Sequence, residues 1–549
     1  MNSIVTLGAE PLTIADVVAV ARADARVEIA DSALDRIARS RRMIDELASD
    51  SRPHYGVSTG FGALAKVQIP VEKRQQLQRS LIRSHAAGTG AEVEREVVRA
   101  LMLLRLNTLA SGRTGVRPVV AETYAAILNA GITPIVHEYG SLGCSGDLSP
   151  LAHCALTAMG EGHVRVKAKP SPRDPRDRHC DRPQSEAWGE GHVRVAEDPR
   201  AAPVPASEAL AAAGIEPVVL QEKEGLALIN GTDGMLGMLC LALHDLTALL
   251  KVADFAAAAS VEALTGTDAV FAADLQELRP HPGQARAAAN MTRVLAGSGL
   301  VQRPREGEFT RVQDAYSLRC APQVSGAVRD TVDHASAVAS IELRSVVDNP
   351  VVLPDGRVES NGNFHGAPVA YVLDFLAIAA ADLASISERR TDRFLDVARN
   401  HGLPPFLAAD PGLDSGLMIA QYTAAGLVSE LKRLAVPASV DSIPSSAMQE
   451  DHVSMGWHAG RKLRRSVDGL ARVIAIELLA STRALDFRLA DGTGAPGAAT
   501  SAVHRLFRSR IDAPDTDAFL SPDIATAHEL VVSGAVLEAA ETALGAPLE

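Results

Sequence analysis

From Met235 to Thr265 the chain runs almost without charge. Only His244, Asp245, Lys251, Asp254 and Glu262 interrupt a sequence of Ala, Leu, Met, Val and Phe. A helix that is apolar on every side cannot face water and has to lie inside a layer of other helices. Two more stretches, 367–400 and 417–434, follow the helical period, the first apolar and then heavily charged. Aromatic residues are only 3% of the chain, and Ala and Leu dominate, which favours helix over sheet. The expectation is a mainly α fold: a smaller N-terminal domain over 1–225, then a long central and C-terminal helical bundle over 226–549. Helices this apolar need burial against several partners, so assembly into an oligomer is expected as well.

The net charge of −13, with acids and bases interspersed, argues for a soluble protein and against nucleic acid as a main partner. No 18-residue apolar run is free of charge, so a membrane span is not expected. Residues 1–10 lack the basic and apolar regions of a signal peptide. Cysteines at 144, 154, 180, 240 and 320 show no disulfide-like spacing, which reads as a reducing, cytoplasmic setting. Between 160 and 206 the organisation breaks. Gly-Glu-Gly-His-Val-Arg-Val at 160–166 recurs at 189–195, around Pro-, Arg- and Asp-rich material. Residues 163–206 read as a disordered surface insertion, a local duplication rather than a solenoid. His153, Cys154, His163, His179, Cys180 and His192 match no zinc-ligand spacing, so no metal is expected.

Chemistry concentrates in Gly140-Ser-Leu-Gly-Cys-Ser-Gly-Asp-Leu-Ser-Pro-Leu151. Gly140, Gly143 and Gly146 permit tight backbone. The amide nitrogen of Gly146, with no Cβ beside it, can reach the carbonyl carbon of Cys144. Ring closure with loss of one water gives an imidazolone, and loss of a second from Ser145 gives an exocyclic methylidene. The Cys144 side chain is a bystander to that reaction. A plain turn is the simpler reading of the same residues. A nucleophile elbow is excluded, since Asp147 stands where that motif needs glycine.

Further motifs stand in order along the chain. Tyr55 sits at the entry of the Gly-rich loop 52–62. Ser84 and His85 close a helix over 75–84. Pro118 restarts a helix after the break at 111–115. Asn230 ends an apolar run before a Gly231 turn, and Gln313, Tyr316 and Arg319, three apart, would share one face of a helical turn. Phe364 lies in the turn 361–366, and Glu450 follows a Ser/Pro loop. Taken together, these motifs resemble the histidine and aromatic amino-acid ammonia-lyases over nearly the whole chain outside 163–206.

The resemblance implies a fumarase/aspartase-like fold, with the N-terminal domain bearing the prosthetic-group loop. It implies a methylidene-imidazolone made autocatalytically from Cys144, Ser145 and Gly146, and no external cofactor. Tyr55 would be the base that removes the β-proton, with Tyr316 assisting. A phenol with a pKa of about 10 needs helix N-termini or cations nearby to favour the phenolate. Arg319 and Asn230 would hold the substrate carboxylate, the arginine through its planar fork. Gln313 and Phe364 would line the pocket. Ser84, His85 and Glu450 look like the histidine-specific version, which implies L-histidine as substrate, trans-urocanate and ammonia as products, and a role in histidine degradation. A homotetramer with shared sites is implied too. A tyrosine or phenylalanine lyase, an aminomutase, and a helical scaffold whose ring never forms are the rival readings.

Overall fold

The computed structural model describes residues 4–49, 54, 56–60, 67–167, 202–301, 312–492 and 494–549. The chain forms two compact units that interleave in sequence. One holds 1–241, 337–372 and 438–461; the other holds 242–336, 373–437 and 462–549. A boundary at 225/226 would fall within the helix Glu224–Ile229, whose residues are all buried. Domain boundaries fall in exposed linkers, and this segment is core.

The first unit is built around the helix Arg95–Ala110, buried over nearly its whole length. The helices Ile14–Arg22 and Pro118–Asn129 pack on it. The first of these is closed by a capping box in which Thr13 and Asp16 satisfy each other's backbone N–H groups. Pro118 occupies the first turn of the second, where a missing N–H costs nothing. Arginines inside this core are fully used: Arg99 donates to the Val20 and Leu128 carbonyls, both at 3.0 Å.

Short strands, which composition does not announce, aim the loops. Thr89–Glu92 pairs antiparallel with His137–Tyr139, so the end of the helix Arg74–His85 and the start of the 140–147 loop come off one ladder. Ile132–Pro134, His163–Val166 and Val204–Pro205 form a second sheet. The two ends of the 163–206 stretch, read as a largely disordered insertion, are therefore paired in a sheet. Their backbone groups complete the ladder begun by Ile132–Pro134. Residues 168–201, including the second copy of the repeat, lie outside the described residues.

The second unit is helical. Among its buried charges, Glu477 accepts from Arg390 Nε (2.5 Å) and Nη2 (2.8 Å), Ser260 (2.7 Å) and Ser387 (2.6 Å). A buried carboxylate is tolerable only when so surrounded. The long helices are Asp233–Ala263, Ala367–Leu395 and Gly456–Ala490. The first two are long and apolar enough to cross a membrane by length and composition, yet 72% and 67% of their most apolar windows are buried inside the protein.

Candidate active site

The loop at 140–147 is shaped by glycines in contact. Gly146 has φ +81°, and a Cβ there would lie 1.9 Å from the Gly231 carbonyl oxygen. Asp147 N–H donates to that same oxygen at 2.7 Å. Gly231 is constrained from behind, since its own Cβ would meet Arg105 Nη2 at 1.6 Å. Arg105 is fully buried and paired with Asp233, and it donates to the Ala227 (2.9 Å) and Val347 (3.2 Å) carbonyls. The loop thus rests on a fixed floor.

Asp147 ties the loop inward. It accepts from Ser141 Oγ and from Met235 N, both at 2.9 Å, and Ser141 Oγ accepts from Gly143 N at 3.2 Å. Burial pushes its pKa up to about 7 against the pull of these donors. On the other side, Met455 N donates to Leu142 O at 2.9 Å and Ser454 Oγ to Gly143 O at 3.0 Å. The residues present fit the ring that the sequence implies. The backbone bends through 143–145 and reaches a left-handed glycine at 146, with no Cβ between that amide and the preceding carbonyls.

Ser84 and His85 end the helix Arg74–His85. The His85 Nδ1 lies 2.8 Å from the Leu81 carbonyl, so it carries the proton and leaves Nε2 as an acceptor. Ser84 Oγ donates to the same carbonyl at 3.0 Å. Burial lowers the pKa of His85, opposed by the Leu81 carbonyl and the charge of Glu450. Burial and Glu450 together push the Cys144 thiol up to about 12. Cys144 is therefore a neutral thiol facing a carboxylate, and its side chain is a neighbour of Glu450. Ser445 Oγ, 3.2 Å from Glu450 Oε2, holds that carboxylate from behind.

Asn230 donates through Nδ2 to Asn349 O at 2.8 Å, leaving its second N–H available. The fully buried pair Lys223–Asp348, at 2.6 Å, anchors the residue next to Asn349. Asn361 N donates to Asn349 Oδ1 at 3.0 Å, which brings the Phe364 turn to the same anchor. The first unit thus gathers Ser84, His85, the 144–146 loop, Asn230, Phe364 and Glu450 on a shared scaffold.

In the second unit, Tyr316 and Arg319 share a single helical turn, Tyr316–Arg319. The guanidinium carbon lies 4.7 Å from the centre of the tyrosine ring, a cation–π contact. Arg319 Nε is buried without a hydrogen-bond partner among the described residues, and Tyr316 is 71% exposed. Gln313 is not on that turn, a correction to the one-face reading. Asp314 accepts from Thr267 N at 2.8 Å, and Ala315 is extended, so the helix starts only at Tyr316. Tyr55 lies outside the described residues. Among the described residues no group of three or more His, Cys, Asp or Glu could hold a metal ion; His179, Cys180 and His192 lie outside them.

Three histidines beside the site make contacts that the sequence does not show. His153 Nε2 accepts from Gly88 N at 3.1 Å, and His365 meets His452. Each sits close to a motif residue, yet only the folded chain shows what it touches.

Residues 12–509 match the model of the aromatic amino acid lyase family. A histidine ammonia-lyase from Streptomyces griseus is 61% identical over 541 residues, covering 98% of this chain and 99% of its own. Among solved structures, the tyrosine aminomutase of Streptomyces globisporus is 35% identical with a TM-score of 0.88, over 99% of this chain and 100% of its own. The histidine ammonia-lyase of Trypanosoma cruzi is 35% identical with a TM-score of 0.85, over 98% and 95%.

Proposed function

Because this chain belongs to the aromatic amino acid lyase family, we propose that it removes ammonia from L-histidine to give trans-urocanate. The methylidene-imidazolone derived from Cys144, Ser145 and Gly146 supplies an electrophile for the substrate's amino group. The chain's other residues bind, orient and move a proton. Tyr55 takes the β-proton, with Tyr316 assisting. Asn230, through its second N–H, and Arg319, through an Nε with no hydrogen-bond partner among the described residues, are each suited to a carboxylate. Gln313 and Phe364 complete the pocket.

The observation that carries the choice of substrate is Glu450 set against both His85 and the Cys144 thiol. A carboxylate there accepts an imidazole N–H. A phenyl side chain offers it no N–H and would take water from the charge without replacing it. A cytoplasmic enzyme working as a homotetramer with shared sites accords with the exposed Tyr316 and with four free thiols among the described residues.

Intact mass and product absorbance test this together. The mature chain is expected to be lighter than its sequence by two waters and to form urocanate from L-histidine, with no cinnamate or coumarate from phenylalanine or tyrosine. Ser145→Ala keeps the ring from forming and abolishes turnover. A full-mass, active wild type would sink the reading.

A further inference from the structure

We propose that His365 and His452 form a positioning pair for an imidazole substrate, locking the turn that bears Phe364 to the segment that bears Glu450. The proposal rests on the functional reading above. His365 follows Phe364 directly, and His452 stands two residues after Glu450. His365 Nε2 lies 3.1 Å from His452 Nδ1, with the ring planes inclined by 30° and the centroids 5.3 Å apart. That centroid separation is close to the N···N distance plus two ring radii. The imidazoles therefore meet edge to edge at these nitrogens rather than face to face.

The direction of the bond follows from the backbone. Ala367 N donates to His365 Nδ1 at 3.3 Å, so the proton of neutral His365 is on Nε2. His365 is the donor, and His452 Nδ1 the acceptor. Burial, and then the neighbouring ring, lower the pKa of His365 against the opposing pull of the His452 backbone, which favours the neutral form this bond uses.

The surroundings explain why such a tie matters. The Glu450 segment is held on its own side by Ser445 N to Glu450 O (2.8 Å) and Val453 N to Ser442 Oγ (2.9 Å). It is held to the prosthetic loop through Ser454 and Met455. Towards the Phe364 turn the Gly366 backbone abuts the Ser454 side chain, since a Cβ on Gly366 would lie 2.9 Å from Ser454 Oγ. Contact alone does not fix register. A directional N–H···N bond does, and it places Phe364 and Glu450 at a set spacing, as substrate positioning requires.

The test uses the full-length assembled protein with L-histidine. His452→Leu removes the acceptor. The expected result is a KM about tenfold higher, kcat within about threefold, and the two-water mass deficit intact. His452→Gln, whose amide oxygen can accept from His365, restores KM to within about threefold of wild type. The double variant His365→Leu/His452→Leu loses no more than His452→Leu alone, as partners in one bond do. An unchanged KM in His452→Leu, equal losses in His452→Leu and His452→Gln, or additive losses in the double variant overturns the proposal. Should His452→Leu not fold, His365→Leu carries the same expectation from the donor side. A wild type that makes no urocanate overturns the functional reading instead, whatever the variants do.

Discussion

On the proposed reading, Glu450 selects substrate by what a carboxylate requires once water is excluded. Its charge registers on both His85 and Cys144, so a ligand between them meets a ready acceptor. Glu450→Gln keeps the shape and removes the charge. A hydrogen bond to a charged group contributes roughly 1.5–3 kcal/mol, so kcat/KM for L-histidine should fall about tenfold to a hundredfold, followed by urocanate absorbance. Unchanged kinetics would remove the argument for specificity. At this scale the sequence told a great deal about identity and less about contact. Ser84, His85, Asn230, Phe364 and Glu450 are recognisable from their motifs and share one unit. The thiol of Cys144 against Glu450 joins positions far apart in sequence, and no local pattern encodes it. Gln313 shows the converse limit. A spacing of three suggested a helical face, but Asp314 accepts from Thr267 N, Ala315 is extended, and the helix begins only at Tyr316.

Among elements, the helix Arg74–His85 reaches the site because its C-terminal extension is pinned to the helix Leu148–Ala158. The pin is the Gly88 N–H to His153 Nε2 bond, which requires a neutral ring. Burial, and secondarily the ring of His137, lower the pKa of His153 to about 4. An unfolded histidine takes its proton near about 6.5. The unfolded chain therefore binds more protons between these values. The pin's contribution is complete above 6.5 and is lost as pH falls towards 4. Urea midpoints at pH 7 and pH 5 should fall more for wild type than for His153→Gln, whose amide oxygen accepts without titrating; equal falls would refute this. The helices themselves were legible, because apolar periodicity survives over many turns. The helix expected from Met235 starts at Asp233, and the one expected over 417–434 spans Met418–Leu434. The strands were not legible. At two to four residues each, they are too short to show alternation.

For the whole molecule, exposed apolar side chains indicate where other copies would sit. Tyr371, Phe375 and Ile378 form one stripe on the helix Ala367–Leu395, while Ile419 and Tyr422 mark another on Met418–Leu434, all exposed in the single chain. Patches of this kind mark association sites. The proposed four-chain assembly predicts a particle about four times the 57.7 kDa chain by light scattering. Tyr422→Glu should shift it to smaller species and cut turnover at least tenfold while the two-water mass deficit persists; an intact, active tetramer would argue against this face. The division into interleaved units was hidden from the sequence, because the boundaries at 241/242, 372/373 and 461/462 fall inside continuous helices. The small sheet that joins His163–Val166 to Val204–Pro205 has a practical corollary. His163 lies opposite Pro205 and Val164 opposite Val204, so the chain leaves and re-enters the fold side by side. The entropy of closing that gap changes only with the logarithm of the connection's length, so the length matters little. The site is thus a natural graft point: replacing 168–201 with a short Gly/Ser turn should leave melting temperature and turnover unaltered, and a folded guest domain could be seated there instead.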